Sequence, residues 1–128
     1  MKLKELKILV LVFAIVAALA WVQAAVAAAT NDIGRATFEK RCTGCHSLDK
    51  NKEGPRLRGV VGRQSASIPD FEYSAALKQA NVLWGDESLD RWLKDPESVA
   101  PDNDMSFHVG DEKERKDIIA YLKSVSGK

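Results

Sequence analysis

Cysteine is scarce in this chain. Cys42 and Cys45 are the only two, and His46 and His108 are the only histidines. A structural zinc site takes four ligands, mostly Cys or His. With no third cysteine, and with His46 next to the pair, the chain is poorly supplied to close one. Period-two alternation of useful length is missing throughout, which argues against a β-sheet domain. No charge of one sign dominates, since 19 basic residues face 18 acidic ones. The strongly basic surface of a nucleic-acid-binding protein is therefore excluded. Internal repeats are absent, and so is low-complexity sequence beyond the N-terminal stretch.

That N-terminal stretch is the one long apolar run. Residues 1–7 are basic, residues 8–22 are almost entirely apolar, and residues 24–29 are Ala and Val. A charged start, an apolar middle and a small-residue end are the layout of a secretory signal, with candidate cleavage after Ala24 or after Ala29. The alternative is a retained membrane anchor, because Ile8 to Ala29 is just long enough to span a bilayer, which takes about 20 residues. The A-x-A pattern and Gln23 favour cleavage. The expected division is a leader over 1–29 and one domain over 30–128. Removing Lys2, Lys4, Lys7 and Glu5 leaves 16 basic and 17 acidic residues, a domain close to neutral. Export places the thiols in an oxidising compartment.

The domain is organised around Arg41-Cys42-Thr43-Gly44-Cys45-His46. Two thiols three positions apart, followed at once by an imidazole, is the spacing that attaches a c-type haem. The thiols can add to the two porphyrin vinyl groups, and the imidazole can reach the iron from one face. A redox disulfide pair uses the same Cys-x-x-Cys, but in a βαβ context that the flanks do not suggest. A domain of about a hundred residues is short for a well-filled core, and a buried porphyrin would supply the missing apolar body.

Around the motif the pattern is helical. Thr30-Asn31-Asp32 offers capping side chains for a helix from Ile33 to Cys42, with Ile33, Ala36 and Phe38 as candidate buried positions. Gly34 is costly in a helix and suggests close approach of another backbone. Residues 47–69 read as loop, punctuated by Gly54, Pro55, Gly59, Gly62 and Pro69. Helical signal returns over Tyr73–Ala80, with a turn around Asn81. Asp86 can cap a helix to Lys94 that carries Leu89, Trp92 and Leu93 on one face and stops at Pro96. Pro96 to Gly110 reads as loop. Asp111 to Ser126 reads as an amphipathic helix with stripe Ile118, Tyr121, Leu122 and Val125, acids at its start, and Gly127 as C-cap.

A haem iron with one protein ligand keeps an open face, and whether that face is filled separates electron transfer from gas or peroxide chemistry. Met105 is the only methionine outside the leader. It lies in a polar, proline-containing loop, which suits a ligand delivered by a loop better than a core gap-filler. His108, three residues on, reads as an exposed loop histidine.

Several ordered motifs carry a resemblance to a family. They are Gly34-x-x-x-Phe38, Cys42-x-x-Cys45-His46, Gly54-Pro55-x-Leu57-x-Gly59-Val60-x-Gly62-Arg63 and Tyr73-Ser74. Leu83-Trp84, Leu93-x-x-Pro96, Pro101-x-x-x-Met105-x-Phe107 and Ile119-Ala120-Tyr121-Leu122-Lys123 follow. Over nearly all of the domain the chain resembles the class I c-type cytochromes, in the bacterial branch closest to the mitochondrial protein. The resemblance implies an all-α, small cytochrome c fold, roughly three to five short helices and long loops packed round one covalently bound haem c. It implies Cys42 and Cys45 as thioether attachments, with His46 and Met105 as axial iron ligands. Pro55 matches the position whose carbonyl accepts the second imidazole N–H. Arg63, Tyr73 and Trp84 match positions around the propionates, and Asn103 replaces a threonine near the propionate and the distal methionine.

The departures are informative. Trp92 stands in place of a tyrosine near the distal methionine, which puts the hydrogen bond to the thioether sulfur in question. Asp104, Asp111 and Glu112 replace lysines of the positive docking ring. Because long-range charge steers encounter, the expected interface is weakly charged or meets a different partner.

The function expected from these readings is single-electron carriage without substrate turnover, so not an enzyme. The carrier would be exported to the periplasm as a monomer, between a quinol-oxidising complex or dehydrogenase as donor and an oxidase or other acceptor. Nucleic acid is not a partner, and membrane contact comes only through partners or an uncleaved leader. The alternatives are an enzyme or gas sensor with an open iron site, and a membrane-tethered subunit facing the periplasm.

Overall fold

The computed structural model describes residues 2–127. Its helices are α1 (Leu3–Arg41), α2 (Ala75–Ala80), α3 (Asp86–Lys94), α4 (Pro96–Val99) and α5 (Glu112–Ser126). No strand forms among the described residues, and the one extended pairing is an isolated bridge between Gln64 and Leu83. The fold is all-α.

The chain divides into two compact units, Met1–Thr30 and Asn31–Lys128. The first is helical and apolar, with Leu9, Phe13, Trp21 and their neighbours exposed. By length and composition α1 is long and apolar enough to cross a membrane, a test that signal sequences also pass.

The expected helix start at Thr30–Asp32 is not seen, because α1 runs through it without a break. Ala27, Ala28 and Ala29 are the best helix formers, so no end arises that would need capping. Thr30 Oγ1 donates instead to the Val26 carbonyl one turn back, at 2.9 Å. Within the second unit Asn31 Oδ1 accepts from Ser124 Oγ at 2.7 Å.

The last turns of α1 cross α5. Gly34 is buried there, and a Cβ on it would overlap the Asp117 carbonyl oxygen, which is the close approach the sequence suggested. One turn on, the Phe38 ring lies 5.3 Å from that of Tyr121, tilted by 49°. Such a pair contributes about 1 kcal/mol beyond burial. Ile33 and Ala36, expected to be buried, are exposed. Each residue turns the helix by about 100°, so neither shares the stripe defined by Gly34 and Phe38.

Ser74 caps α2 by accepting from the Leu77 N–H, and Asn81 ends it in the left-handed region at φ 51°. The N-cap of α3 is Gly85 rather than Asp86. Buried Ser88 accepts from the Gly85 N–H at 2.8 Å and donates to the Leu83 carbonyl at 2.8 Å, holding the start from inside the helix. Asp86 is thereby free to pair with Lys123 of α5 at 2.8 Å. Leu89, Trp92 and Leu93 are buried as the spacing predicts.

Pro96 ends α3, but it also begins α4 inside the expected loop, since its fixed φ suits a first helical position. In α5, Asp111 is the N-cap, accepting from the Glu114 N–H at 2.8 Å. Ile118, Tyr121 and Leu122 are buried and Val125 is half-buried. Gly127 follows the helix at φ −88°, outside the left-handed region.

The long connections are pinned as well. Gly62 N–H donates to the Trp84 carbonyl, Trp84 N–H to the Arg63 carbonyl, and Ser65 N–H to the Val82 carbonyl. These bonds set Arg63 beside Trp84.

Candidate haem site

One face of the site grows out of the end of α1. Cys42 N–H donates to the Phe38 carbonyl at 2.8 Å, and His46 N–H donates to the Cys42 carbonyl at 2.8 Å. The chain therefore keeps winding past Arg41 and brings Cys42, Cys45 and His46 to one place. Both thiols are free, Cys42 half-buried and Cys45 exposed. Burial pushes the Cys42 thiol up to about 12, against a smaller opposing pull from Arg41, so the thiol is protonated at neutral pH.

His46 is half-buried with Nδ1 2.8 Å from the Pro55 carbonyl. A carbonyl only accepts, so Nδ1 carries the proton and the Nε2 lone pair is free. Burial lowers the imidazole pKa, the Pro55 carbonyl works against that, and Lys52 adds to it. Gly54 makes the approach possible, because any Cβ on it would overlap the imidazole ring. Its N–H donates to the Cys45 carbonyl at 2.8 Å. Lys52 Nζ donates to the Thr43 carbonyl at 2.5 Å and the Gly44 carbonyl at 3.3 Å, closing the turn between the cysteines.

The other face is built on the segment that follows α4. Asn103 Oδ1 accepts from the Met105 N–H at 2.8 Å, while its Nδ2 donates to the Ala100 carbonyl and to Glu97. The Asn103 amide is thus engaged in shaping the loop. Trp92 Nε1 donates to Met105 Sδ at 3.1 Å. Beyond Met105, Val109 N–H donates to the Leu93 carbonyl at 2.7 Å. Buried Arg115 donates to the Val109 and Gly110 carbonyls and pairs with Asp90 of α3 at 2.7 Å.

A cavity of about 390 Å³ lies between these faces. Cys42, Cys45, His46, Pro55, Arg63, Tyr73, Trp84, Asn103 and Met105 all line it, so each residue expected around the haem or at its iron comes to one wall or another, while His108, Asp111 and Glu112 do not. The rest of the lining is largely apolar and includes Leu57, Val60, Leu89, Leu93, Ile118 and Leu122. Arg63 is half-buried and donates to the Arg56 and Arg58 carbonyls; burial lowers its pKa. Burial also raises that of Tyr73, whose ring meets Phe71 edge-on at 4.8 Å. Trp84 is buried, its ring 5.4 Å from that of Trp92.

The donor set suits a large flat apolar group that carries carboxylates at one edge. It has two thiols, an imidazole with a free nitrogen, a thioether, apolar walls, and Arg63, Tyr73 and Trp84 as donors for carboxylates that would otherwise be expensively desolvated. Among the described residues no three His, Cys, Asp or Glu side chains gather into a metal cluster, so the thiol pair has no further zinc ligands at hand.

Some participants were not legible beforehand. Lys52 read only as loop chemistry, and Gly54 was marked by its motif with Pro55 but not by the close approach to His46 that it permits. The Asp90–Arg115 pair had no signal, because 25 residues separate its members. His108 is exposed, as its loop position suggested.

Comparison with known proteins agrees with the geometry. Residues 32–126 match the family model described as cytochrome c. The chain is 43% identical over 95 residues to cytochrome c of Euglena viridis, covering 72% of this chain and 93% of that one. It is 44% identical over 100 residues to a cytochrome c homolog of Rickettsia felis, covering 75% and 57%. Among solved structures, cytochrome cH from Methylobacterium extorquens superposes with a TM-score of 0.69 at 38% identity, covering 73% of this chain and 96% of that one. The chain belongs to the cytochrome c family, the haem-based electron carriers of class I, and its cofactor is a covalently attached haem c.

Proposed function

We propose that this protein is a single-electron carrier with His46 and Met105 as the two axial ligands of its haem iron and Cys42 and Cys45 as the thioether attachments. The observation that carries the reading is that an imidazole with its Nδ1–H committed to Pro55 and a thioether held by Trp92 line the same cavity as two free thiols. The iron supplies the one-electron step when the haem is bound. The chain's own part is to attach, orient and shield. Each S–H adds across a vinyl group, with sulfur bonding one carbon and hydrogen the other. The Pro55 carbonyl orients the imidazole and raises its basicity. His46 and Met105 would hold the iron, and His/Met ligation would raise the reduction potential and leave no position on the metal for a substrate.

The electron would pass between a quinol-oxidising complex or a dehydrogenase and an oxidase or other acceptor, through a monomer exported to the periplasm. Residues 1–29 would serve as the export signal. The continuous apolar helix also supports a second reading, a retained anchor facing the periplasm, and the mass of the mature N-terminus separates the two. Exposed Asp104, Asp111 and Glu112 put acids where the resemblance implies docking lysines, which favours a weakly charged interface or a different partner.

The test is a pyridine haemochrome spectrum with the intact mass, followed by absorption of the oxidised protein. Covalent haem and a sulfur–iron charge-transfer band are the expected results. High-spin iron that binds carbon monoxide readily at neutral pH would show an open site and overturn the carrier assignment.

A further inference from the structure

The segment that presents Met105 begins on a disfavoured backbone. Asp102, three residues earlier, stands in the left-handed region at φ 64°. There a Cβ crowds the following carbonyl oxygen, a cost that aspartate bears better than most residues but still bears. Glu97, Asp102 and Asp104 are all acids, so charge alone gives the Glu97 side chain no reason to lie over this turn. We infer that Glu97 is a positioning residue for Met105: its carboxylate braces the turn from which the thioether is presented. The inference rests on the reading of Met105 as an axial ligand.

Both carboxylate oxygens are engaged. Glu97 Oε2 accepts from the Asp102 N–H at 3.1 Å, and Oε1 accepts from Asn103 Nδ2 at 3.0 Å. The first bond holds the left-handed residue directly. The second orients the Asn103 amide, whose Nδ2 also donates to the Ala100 carbonyl at 2.9 Å. An amide nitrogen carries two N–H groups and no acceptor. With both groups placed, the amide oxygen is left facing the Met105 N–H, from which it accepts at 2.8 Å. A line of hydrogen bonds thus runs from Glu97 through Asn103 to the backbone of Met105. Its origin is fixed, because Glu97 stands on α4 between buried Pro96 and buried Ala100, whose N–H closes the helix on the Pro96 carbonyl at 3.0 Å. Glu97 is exposed, so water competes and each bond contributes its modest net value rather than its full strength. A thioether ligand favours ferrous over ferric iron. Met105 is therefore most easily lost from the oxidised protein, and that is the state in which the brace counts.

The test is the binding of added imidazole to the oxidised holoprotein, because imidazole can take the iron only where Met105 has left it. Loss of the sulfur–iron charge-transfer band reads the displacement. The unaltered chain is compared with Glu97→Ala and with Glu97→Gln, which preserves the side-chain size if the alanine variant does not fold. Glu97→Ala offers no acceptor and is expected to bind imidazole roughly three- to tenfold more tightly, a range that one net hydrogen bond can supply. Glu97→Gln keeps a single acceptor oxygen and should lie between the two. The gain should survive high salt, which screens exposed charges but leaves hydrogen bonds. An affinity unchanged in both variants, or a gain that salt abolishes, would overturn the inference alone. Absence of the band from the unaltered chain would instead overturn Met105 ligation.

Discussion

The two walls of the haem cavity are held in opposite ways. On the His46 side every restraint is local. His46 reaches Pro55 nine residues on, Lys52 reaches back to Thr43 and Gly44, and Gly54 N–H meets the Cys45 carbonyl. These restraints, with the bond from Cys42 N–H to the Phe38 carbonyl, lie within residues 38–55. On the Met105 side the restraints converge from separate elements: Trp92 and Leu93 of α3, Asn103 of the loop, and Arg115 of α5 paired with Asp90. The first wall is a winding of the chain that carries its own geometry. The second exists only once α3 and α5 have packed, and it should be the first to open when packing weakens.

That contrast can be broken from either side. The largest effect is expected from Gly54→Val, which places carbon where the imidazole stands. Overpacking at a ring pinned by Pro55 should cost about 3 kcal/mol and displace the His46 imidazole. Circular dichroism during denaturant unfolding and the yield of holoprotein would read both. Retention of normal yield and spectrum would show that the local wall is softer than the geometry implies.

Arg115→Met attacks the other wall without touching the cavity. It strands Asp90 and two carbonyls, so a loss of about 2 kcal/mol is expected. The charge-transfer band should weaken at denaturant concentrations that leave the proximal side intact. Simultaneous loss of both would mean that the walls open as one unit. Asn103→Ala removes only the loop's internal turn and should cost about 1 kcal/mol, seen as a lower temperature for loss of the band.

The smallest effect belongs to the exposed rim of the proximal loop. The Asp49 carboxyl is held below its usual pKa by its hydrogen bond to Arg58. A depressed folded-state pKa gives stability that is present above the unfolded value, about 3.9, and is lost as pH falls through the folded one. Stability curves of Asp49→Asn and the unaltered protein should therefore differ slightly at neutral pH and converge in acid. A difference that persists in acid would assign Asp49 a role other than its charge.

The proximal wall was legible in the sequence because its residues are near neighbours: Cys42, Cys45, His46 and Pro55 could be read from spacing and from family resemblance. Met105 was legible through its placement in a polar loop, and Gly34 through its cost in a helix. The α3 and α5 stripes followed from their periodicity. What failed was local as well. The cap at Thr30–Asp32, the burial of Ile33 and Ala36, and a structureless 96–110 were each inferred from short windows. Each was overruled by what lay just outside the window, whether the alanines upstream, the stripe set by α5, or Pro96 acting as a helix start.

By itself the sequence determined an all-α domain, the Cys-x-x-Cys-His spacing of a c-type haem motif, and the near-neutral charge, since all of these depend on composition and short spacing. Only the tertiary structure decided how Met105 is held. The Trp92 N–H on its sulfur and the Asp90–Arg115 clamp on its loop join residues 13 and 25 apart. No periodicity encodes such pairs, because they form only when packed helices bring a donor and an acceptor together out of water.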